Sequence, residues 1–376
     1  TFPNLVVSGQ TEGAFGNFSR TGDVNDAAAD FHRSLYSVYL QDEWSVNDRL
    51  NVVLGIRADL FSGSRPAANP NFAARYGFPN TTGFSSLDPV IMPRIGATYD
   101  FDDFAVFSRA QVRGGVGIFS GGDPLVWFGN AFQNNGFGFA EGNSQSASCP
   151  TGQISVVSGG QFTGVPDCIQ GNGISNAAGG RGDTQSIDPD IKIPTVLRAN
   201  FGFQSELDFA AEGFFSGWRI NLDYIYSRYR NAYTIVDLSQ TVNPALGVNG
   251  FTIDGRPIYR AIDPTVAGCD AELVDLTPAP VYQNVSAPCF VTGRADELML
   301  TNLGSYSSHI ASIILSKEFD GGFTAGGSSY FTLGYAYTDS RDRRNMFNST
   351  AGSNYDLTAA FDRQNPDSSR GVYGRR

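Results

Sequence analysis

Apolar and polar residues alternate with a period of two along several long stretches of the chain. From Leu50 to Leu60, the positions Leu50, Val52, Leu54, Ile56, Ala58 and Leu60 form one set, and Asn51, Val53, Gly55, Arg57 and Asp59 form the other. Successive strand side chains point to opposite faces, so this pattern predicts one long strand with an oily side and a polar side. The stretch Tyr36 to Trp44 alternates in the same way, and Asn47-Asp48 between the two supplies a tight turn. Three further pairs repeat the scheme. Ile95–Tyr99 turns through Asp100–Asp103 into Val112–Ile118. Leu197–Leu207 turns near Ala211–Gly213 into Trp218–Tyr226. His309–Leu315 turns at Asp320–Gly322 into a strand that ends over Tyr330–Thr338.

The pattern thus predicts four hairpins, or eight strands, with very unequal ends. One end of each hairpin is a short turn. At the other end the chain wanders from Gly63 to Val90, from Gly121 to Asp190 and from Ala232 to Tyr306, through segments rich in Gly, Asn, Ser, Asp and Pro. Irregular connections of that length are uncommon in compact soluble domains. They are expected in outer-membrane barrels, which have short periplasmic turns and long extracellular loops. The competing reading is a soluble sandwich with the oily faces in a core. Against it, Arg57, Asp59, Arg113, Arg198, Glu206, Arg219 and Asp223 share the face opposite a continuous apolar one. Aromatics also gather toward strand ends, as in Tyr36 and Trp44, Tyr99 and Phe101, and Trp218 and Tyr226. The expected fold is therefore all-β, a transmembrane antiparallel barrel with long extracellular loops.

Composition agrees. Charged residues are 17 % of the chain and aromatics 13 %, with 44 Gly, against roughly 25 % charged residues in average soluble domains. The net charge of −11 disfavours a nucleic-acid partner, which calls for clustered Lys and Arg. No run approaches the ~18 apolar residues of a membrane helix. The opening Thr1-Phe2-Pro3-Asn4 is no signal peptide, and Arg375-Arg376 completes no visible element, so a segment of a longer protein is expected.

The ordered series of motifs resembles the barrel of TonB-dependent receptors. It comprises Gln41-Asp42-Glu43-Trp44 with Asp48-Arg49-Leu50 and Gly55-Ile56-Arg57, then Pro93-Arg94-Ile95-Gly96 and Val112–Gly121. It continues with Pro124–Gly136, Ile187–Asp190, Tyr224–Ser227, Lys317-Glu318-Phe319 and Tyr335–Asp339. Taken together, the series is similar to the Oar-like branch, large receptors with a carboxypeptidase-regulatory-like amino-terminal domain. The resemblance implies a bacterial outer-membrane location and a barrel of about 22 strands, the plugged-lumen class. Residues 1–376 would form part of that barrel, with the plug and amino-terminal domains outside the chain.

Enzyme chemistry finds little support. The chain has only His32 and His309, too few for a His-rich metal site, and the pattern calls for no cofactor. His32 is expected to start a strand and His309 to lie at the interface. Asp183, Asp188 and Asp190 read as a solvated acidic loop rather than a cation site. Cys149 and Cys168 share one long connection, and Cys269 and Cys289 share another. Four cysteines allow three pairings. The local ones would close loops of about 20 residues, worth ~3 kcal/mol each in the chain-entropy treatment, and any pairing fits an oxidising compartment.

Two functions follow. The first is a receptor that takes up a peptide, protein or glycan, with energy from the TonB complex reaching the missing plug region. The second is a surface barrel that holds a partner such as a lipoprotein without transport. Outer-membrane lipid is a partner in both. The expected ligand contacts are Trp127, Phe128, Asn130 and Asn134, because an exposed apolar pair rimmed by amides suits a recognition surface. The alternative role for that pair is to pin the loop over the barrel mouth. Protease added to intact cells is expected to cut near Arg181 or Arg294.

Overall fold

A computed structural model describes residues 4–6, 13–121, 124–143, 149, 157–158, 160–162, 164–210, 213–277, 279–292, 296–320, 327–340, 346–357 and 361–366. Eight long strands dominate it. They are β1 (Arg33–Ser45), β2 (Leu50–Gly63), β3 (Val90–Asp100), β4 (Phe107–Ser120), β5 (Thr195–Leu207), β6 (Trp218–Arg230), β7 (Tyr306–Asp320) and β8 (Ser328–Ser340). All are longer than their alternating cores predict. They pair antiparallel in chain order in one eight-stranded sheet, and β1 and β8 are its two edges.

The short turns are tied by the residues whose chemistry suits them. Asn47 Oδ1 accepts from the backbone N–H of Arg49 and of Leu50, both at 2.9 Å. Asp103 Oδ1 accepts from Arg109 N at 3.0 Å. Asp208 Oδ1 accepts from Gly217 N at 2.8 Å, and Lys317 Nζ donates to the carbonyl of Gly213 at 2.8 Å. The expected turn residues Ala211 and Gly322 lie outside the described residues.

The strand register divides the side chains as the alternation requires. Trp44, Val52, Ala97, Gly114, Phe201, Tyr224, Ala311 and Tyr337 are successive cross-strand partners on one face. Gln41, Gly55, Arg94, Gly117, Arg198, Ser227, Ser308 and Ser340 run across the other. The first row also measures stagger. Trp44 is one residue from the turn end of β1, whereas Tyr337 is nine from the turn end of β8. Eight residues of stagger over seven strand steps, at ~3.4 Å per residue and ~4.8 Å per strand, tilt the strands by roughly 40°. Tilts of about 35–45° are those of membrane barrels.

Leu54, Ile56, Ile95, Val116 and Phe201 stand exposed on the apolar face. Trp218 does not. It is buried against Phe214, Phe319 and Phe331, with ring centroids 5.5, 6.3 and 5.7 Å away, in an aromatic cluster at the turn end. A second chain of rings at that end runs Tyr99–Phe101–Phe104–Phe107–Phe203.

The polar face is laced by side-chain bonds. Arg113 Nη2 lies 2.8 Å from Asp223 Oδ1, Arg57 Nε 2.8 Å from Asp59 Oδ1, and Arg94 donates to Gln41 Oε1 at 2.6 Å. Two strand glycines make room for these arginines. A Cβ at Gly55 would meet Arg94 Nε at 2.7 Å, and one at Gly202 would meet Arg113 Nε at 2.7 Å. Each guanidinium can therefore lie flat across the neighbouring strand.

Among the described residues the long connections carry the helices α1 (Pro70–Tyr76), α2 (Leu125–Gln133) and α3 (Asp167–Ala178), and a fourth, α4 (Ala351–Asp356), follows β8. A small sheet places Leu298–Asn302 between Ser186–Ile187 and Tyr233–Asp237, joining two connections that are distant in sequence. Together they form a cap with its own core, built from Phe84, Phe128, Phe132, Ile187, Ile191, Ile235, Leu300 and Tyr355 among others. Val90 and Met92 of β3 belong to that core, and Phe61 of β2 packs against it. These residues stand on the Arg57 face, since Met92 is the cross-strand partner of Arg57. The cap therefore sits over the loop end of the polar face.

Candidate functional site

The cap is built around α2. Pro124 starts the helix, and its carbonyl accepts from Phe128 N at 2.8 Å. Phe128, Ala131 and Phe132 recur at helical spacing and bury one flank. There Phe31 stacks on Phe132 at 4.6 Å, and Phe84 lies 5.0 Å from Phe128. Phe128 has no exposed surface. The sequence-based expectation of an exposed apolar pair therefore fails for Phe128: once α2 forms, its position falls on the inward flank.

Trp127 is turned a quarter-circle away. Its indole Nε1 donates to the carbonyl of Asn348 at 3.0 Å, and its ring meets Tyr233 edge-on at 5.8 Å. Asn130 Nδ2 donates to the carbonyl of Ser349 at 2.8 Å and to that of Val126 at 3.1 Å. Asn134 ends the helix, donating its N–H to the carbonyl of Asn130 at 2.8 Å and accepting from Gln185 N at 2.7 Å. The Asn130 side-chain amide and the Asn134 backbone thus fasten α2 to its neighbours.

Trp127 also lines a half-enclosed cleft of about 380 Å³, with Val196, Tyr229, Tyr233, Tyr306 and Met346. Tyr229 and Tyr306 are cross-strand partners whose rings stack at 4.7 Å. The cleft lies where the loop ends of β5, β6 and β7 meet the cap. Its aromatic faces suit a ligand that stacks or presents an apolar surface. Of the four expected ligand residues, Trp127 reaches it, while Phe128, Asn130 and Asn134 hold Trp127 in place. Tyr229, Tyr233 and Tyr306 are new to the site. The hint in the sequence is the tyrosine crowding from Tyr224 to Tyr233, at the loop end of a strand.

Beneath α1 lies a group of buried acids. Glu297 is 1 % exposed and accepts from Arg75 and from the hydroxyl of Tyr76. Asp237 is fully buried, and its Oδ1 accepts from Ser239 N at 2.8 Å and Ser239 Oγ at 2.6 Å. Burial pushes the Asp237 carboxyl up to about 6 against the lowering effect of those bonds. Burial, then the charges of Asp296, Glu297, Glu141 and Asp237, push Asp183 up to about 6 as well. Asp188 is also buried, and accepts from Thr301 Oγ1 at 2.5 Å and Asp190 N at 2.8 Å. The expected solvated acidic loop is instead partly interior, because the Leu298–Asn302 strand folds over it. Among the described residues, no three His, Cys, Asp or Glu side chains are arranged to hold a metal ion.

Two disulfides staple the cap, Cys149–Cys168 and Cys269–Cys289. Cys149 packs beside Phe18 and Ile169, and Cys289 is buried with Ile262 and Ala271. His32 precedes β1 and lies with Nδ1 2.9 Å from Ser64 Oγ. His309 Nδ1 lies 2.8 Å from the hydroxyl of Tyr224.

The chain was compared with known proteins. No curated protein matches it. Among solved structures it is similar to the siderophore receptor PirA from Pseudomonas aeruginosa, at 10 % identity and a TM-score of 0.35, over 90 % of this chain and 41 % of that one. It is also similar to the FrpB iron transporter from Neisseria meningitidis, at 12 % identity and a TM-score of 0.35, over 89 % of this chain and 34 % of that one. The chain thus spans well under half the length of these two structures. The family model described as the outer membrane beta barrel domain matches residues 8–374. With a tilted, two-faced sheet and a match over nearly its whole length, the chain is a protein of the outer membrane and belongs to the outer membrane β-barrel domain family.

Proposed function

We propose that the chain is a section of a receptor of the TonB-dependent class, Oar-like branch, whose complete barrel has about 22 strands. In this reading the apolar face meets lipid, the arginine-bearing face lines the lumen, and the cap stands outside the cell. A peptide, protein or glycan is recognised at the aromatic cleft and drawn inward with energy delivered by the TonB complex to a plug region outside this chain. The observation that carries the reading is the position of the cleft, at the seam between the cap and the loop ends of β5–β7. A ligand held there sits at the mouth of the polar face. Trp127 supplies the contact, and Phe128, Asn130 and Asn134 fix its orientation.

The test uses cells in which this gene is the sole route of uptake for a defined peptide or glycan mixture. Growth on that mixture is expected to fall at least tenfold on deleting tonB, and to fall with Trp127→Ala at normal surface abundance. Growth independent of tonB would overturn the transport reading.

One observation favours the second reading, a surface barrel that holds a partner protein. The excursion at 243–258 ends in Val248, Phe251 and Ile253, and Ile253 is 100 % exposed. Backbone bonds such as Val248 N to the carbonyl of Phe251 at 2.7 Å hold this apolar tip in shape. Partner binding that persists without TonB and is lost with Ile253→Asp would establish that role.

A further inference from the structure

The polar face is not evenly furnished. Over β3 and β4 it carries Gly96, Gly115 and Gly117, where neighbouring positions of the same face carry Arg94, Thr98 and Arg113. Gly96 and Gly115 are cross-strand partners, and Gly117 has Arg94 on one side and Arg198 on the other. At ~4.8 Å per strand step, the backbones of the two arginines are about 10 Å apart. Their side chains lean away from each other. Arg94 reaches over Gly55 and donates to Gln41 Oε1 at 2.6 Å, and Arg198 Nε donates to Ser227 Oγ at 3.3 Å. Between them a depression of about 370 Å³ opens onto bare backbone. Glycines inside strands mark places where another group comes close to the chain.

The chemistry around this floor is selective. On a protein of net charge −11, neither Arg94 nor Arg198 forms an ion pair with another described residue. Arg113, at the lower rim, is already matched by Asp223. Two guanidinium groups therefore flank the floor without a carboxylate, and each can hold an acid group in a fork. Asn51 has the opposite need. Its Nδ2 donates to Glu43 Oε1 at 2.8 Å, while its Oδ1 is buried and accepts from no described residue. A buried acceptor left unpaired calls for a donor. The group that suits the depression thus carries an acid, a donor beside it and a flat body to cover the glycines. One residue of an acidic saccharide, a ring bearing a carboxylate and hydroxyls, has all three. An acidic peptide brings the acid and the donors but no ring, and an inorganic anion brings the charge alone.

Position joins the depression to the aromatic cleft. Val196, which lines the cleft, is two residues from Arg198 on the same face of β5, a step of ~7 Å. No residue lines both. The cleft offers the rings of Trp127, Tyr229 and Tyr306, on which the apolar face of a neutral sugar packs.

We infer that the glycine-floored depression is a second subsite, for a uronic acid residue of an acidic oligosaccharide. Arg94 and Arg198 attract its carboxylate, Asn51 Oδ1 accepts from a hydroxyl, and a neighbouring sugar lies in the aromatic cleft. The assignment rests on the receptor reading and narrows its ligand to an anionic glycan.

The test measures binding of tetragalacturonate to the intact protein in detergent, beside the neutral galactose tetramer of the same linkage and tetraglutamate. Wild type is expected to bind tetragalacturonate at least tenfold more tightly than either. Arg94→Gln/Arg198→Gln is expected to lose that preference at an unchanged melting temperature. Should that variant fold poorly, Gly96→Val fills the floor instead. A Cβ at Gly96 meets only the carbonyl oxygen of Gly114, at 3.7 Å, so the wall accepts it. Gly96→Val is expected to weaken tetragalacturonate binding at least tenfold while keeping the melting temperature. Sulfate at 10 mM is expected not to compete. Equal binding of tetragalacturonate and the neutral tetramer, binding of tetraglutamate as tight as that of tetragalacturonate, or full competition by sulfate would each overturn the assignment. So would an unchanged preference in the folded double variant, or an unchanged affinity in Gly96→Val. Every arm reads equilibrium binding without TonB, so failure here and failure of the transport reading are separate results.

Discussion

Asp183 and Asp237 give the cap a pH dependence whose sign is fixed by burial. Both carboxyls are pushed up to about 6, from the ordinary ~4 of an unfolded chain. A group raised in the folded state holds its proton there at pH values where the unfolded chain has released it. Its contribution is therefore fully present below about pH 4 and is lost as pH rises through about 6. The cap should resist proteolysis at Arg181, an exposed site next to Asp183, better at pH 5 than at pH 7.5. The opposite order would place these carboxyls in water. Glu297 makes a second prediction at this scale. Its partner Arg75 is only 15 % exposed at the side chain. Glu297→Ala strands a largely buried guanidinium, and removing one partner of a buried pair costs roughly 3–5 kcal/mol. Amide exchange over α1 should rise by a corresponding factor, whereas a change under tenfold would make the pair dispensable.

The two faces of each strand predict unequal responses to charge. Leu54 stands on the apolar face and Val53 on the polar one, adjacent in sequence and opposite in surroundings. Leu54→Lys should destabilise refolding into lipid vesicles by about 2–4 kcal/mol, while Val53→Lys should cost little. Equal costs would mean that the faces are not distinguished by lipid. In the cap, the Cys269–Cys289 bridge closes a separation of 20 residues. A Cys269→Ser/Cys289→Ser variant should lose about 3 kcal/mol of stability in that segment. The strands were legible in the sequence because period-two alternation persisted for several residues in each and for eleven in Leu50–Leu60 and Leu197–Leu207. That is long enough to separate two faces unambiguously and to place Arg57 opposite Leu54. The cap was not, because its apolar residues come in clusters of two or three. Phe84 with Leu87, Ile191 with Ile193, and Leu298 with Leu300 become a core only when three distant connections meet. Trp127 was singled out by its aromaticity alone. Phe128 was misplaced beside it because a loop reading ignores the helical turn that sends it inward.

At the scale of the whole molecule, one face of a tilted sheet is greasy, the other is polar and networked, and a disulfide-stapled cap crowns one end. Sidedness follows from that arrangement. Trypsin added to intact cells should cut after Arg181, and cleavage confined to permeabilised cells would reverse the topology. The central claim is that lipid covers the face of Leu50, Val52, Leu54, Ile56, Ala58 and Leu60. It is tested most directly by spin labels placed singly at each position from 50 to 60 in the intact protein in bilayers, with collisional accessibility to oxygen compared against a water-soluble nickel chelate. The account predicts a period-two oscillation, with oxygen favoured at the even positions and the chelate at the odd ones. Chelate access at the even positions equal to that at the odd ones would contradict it.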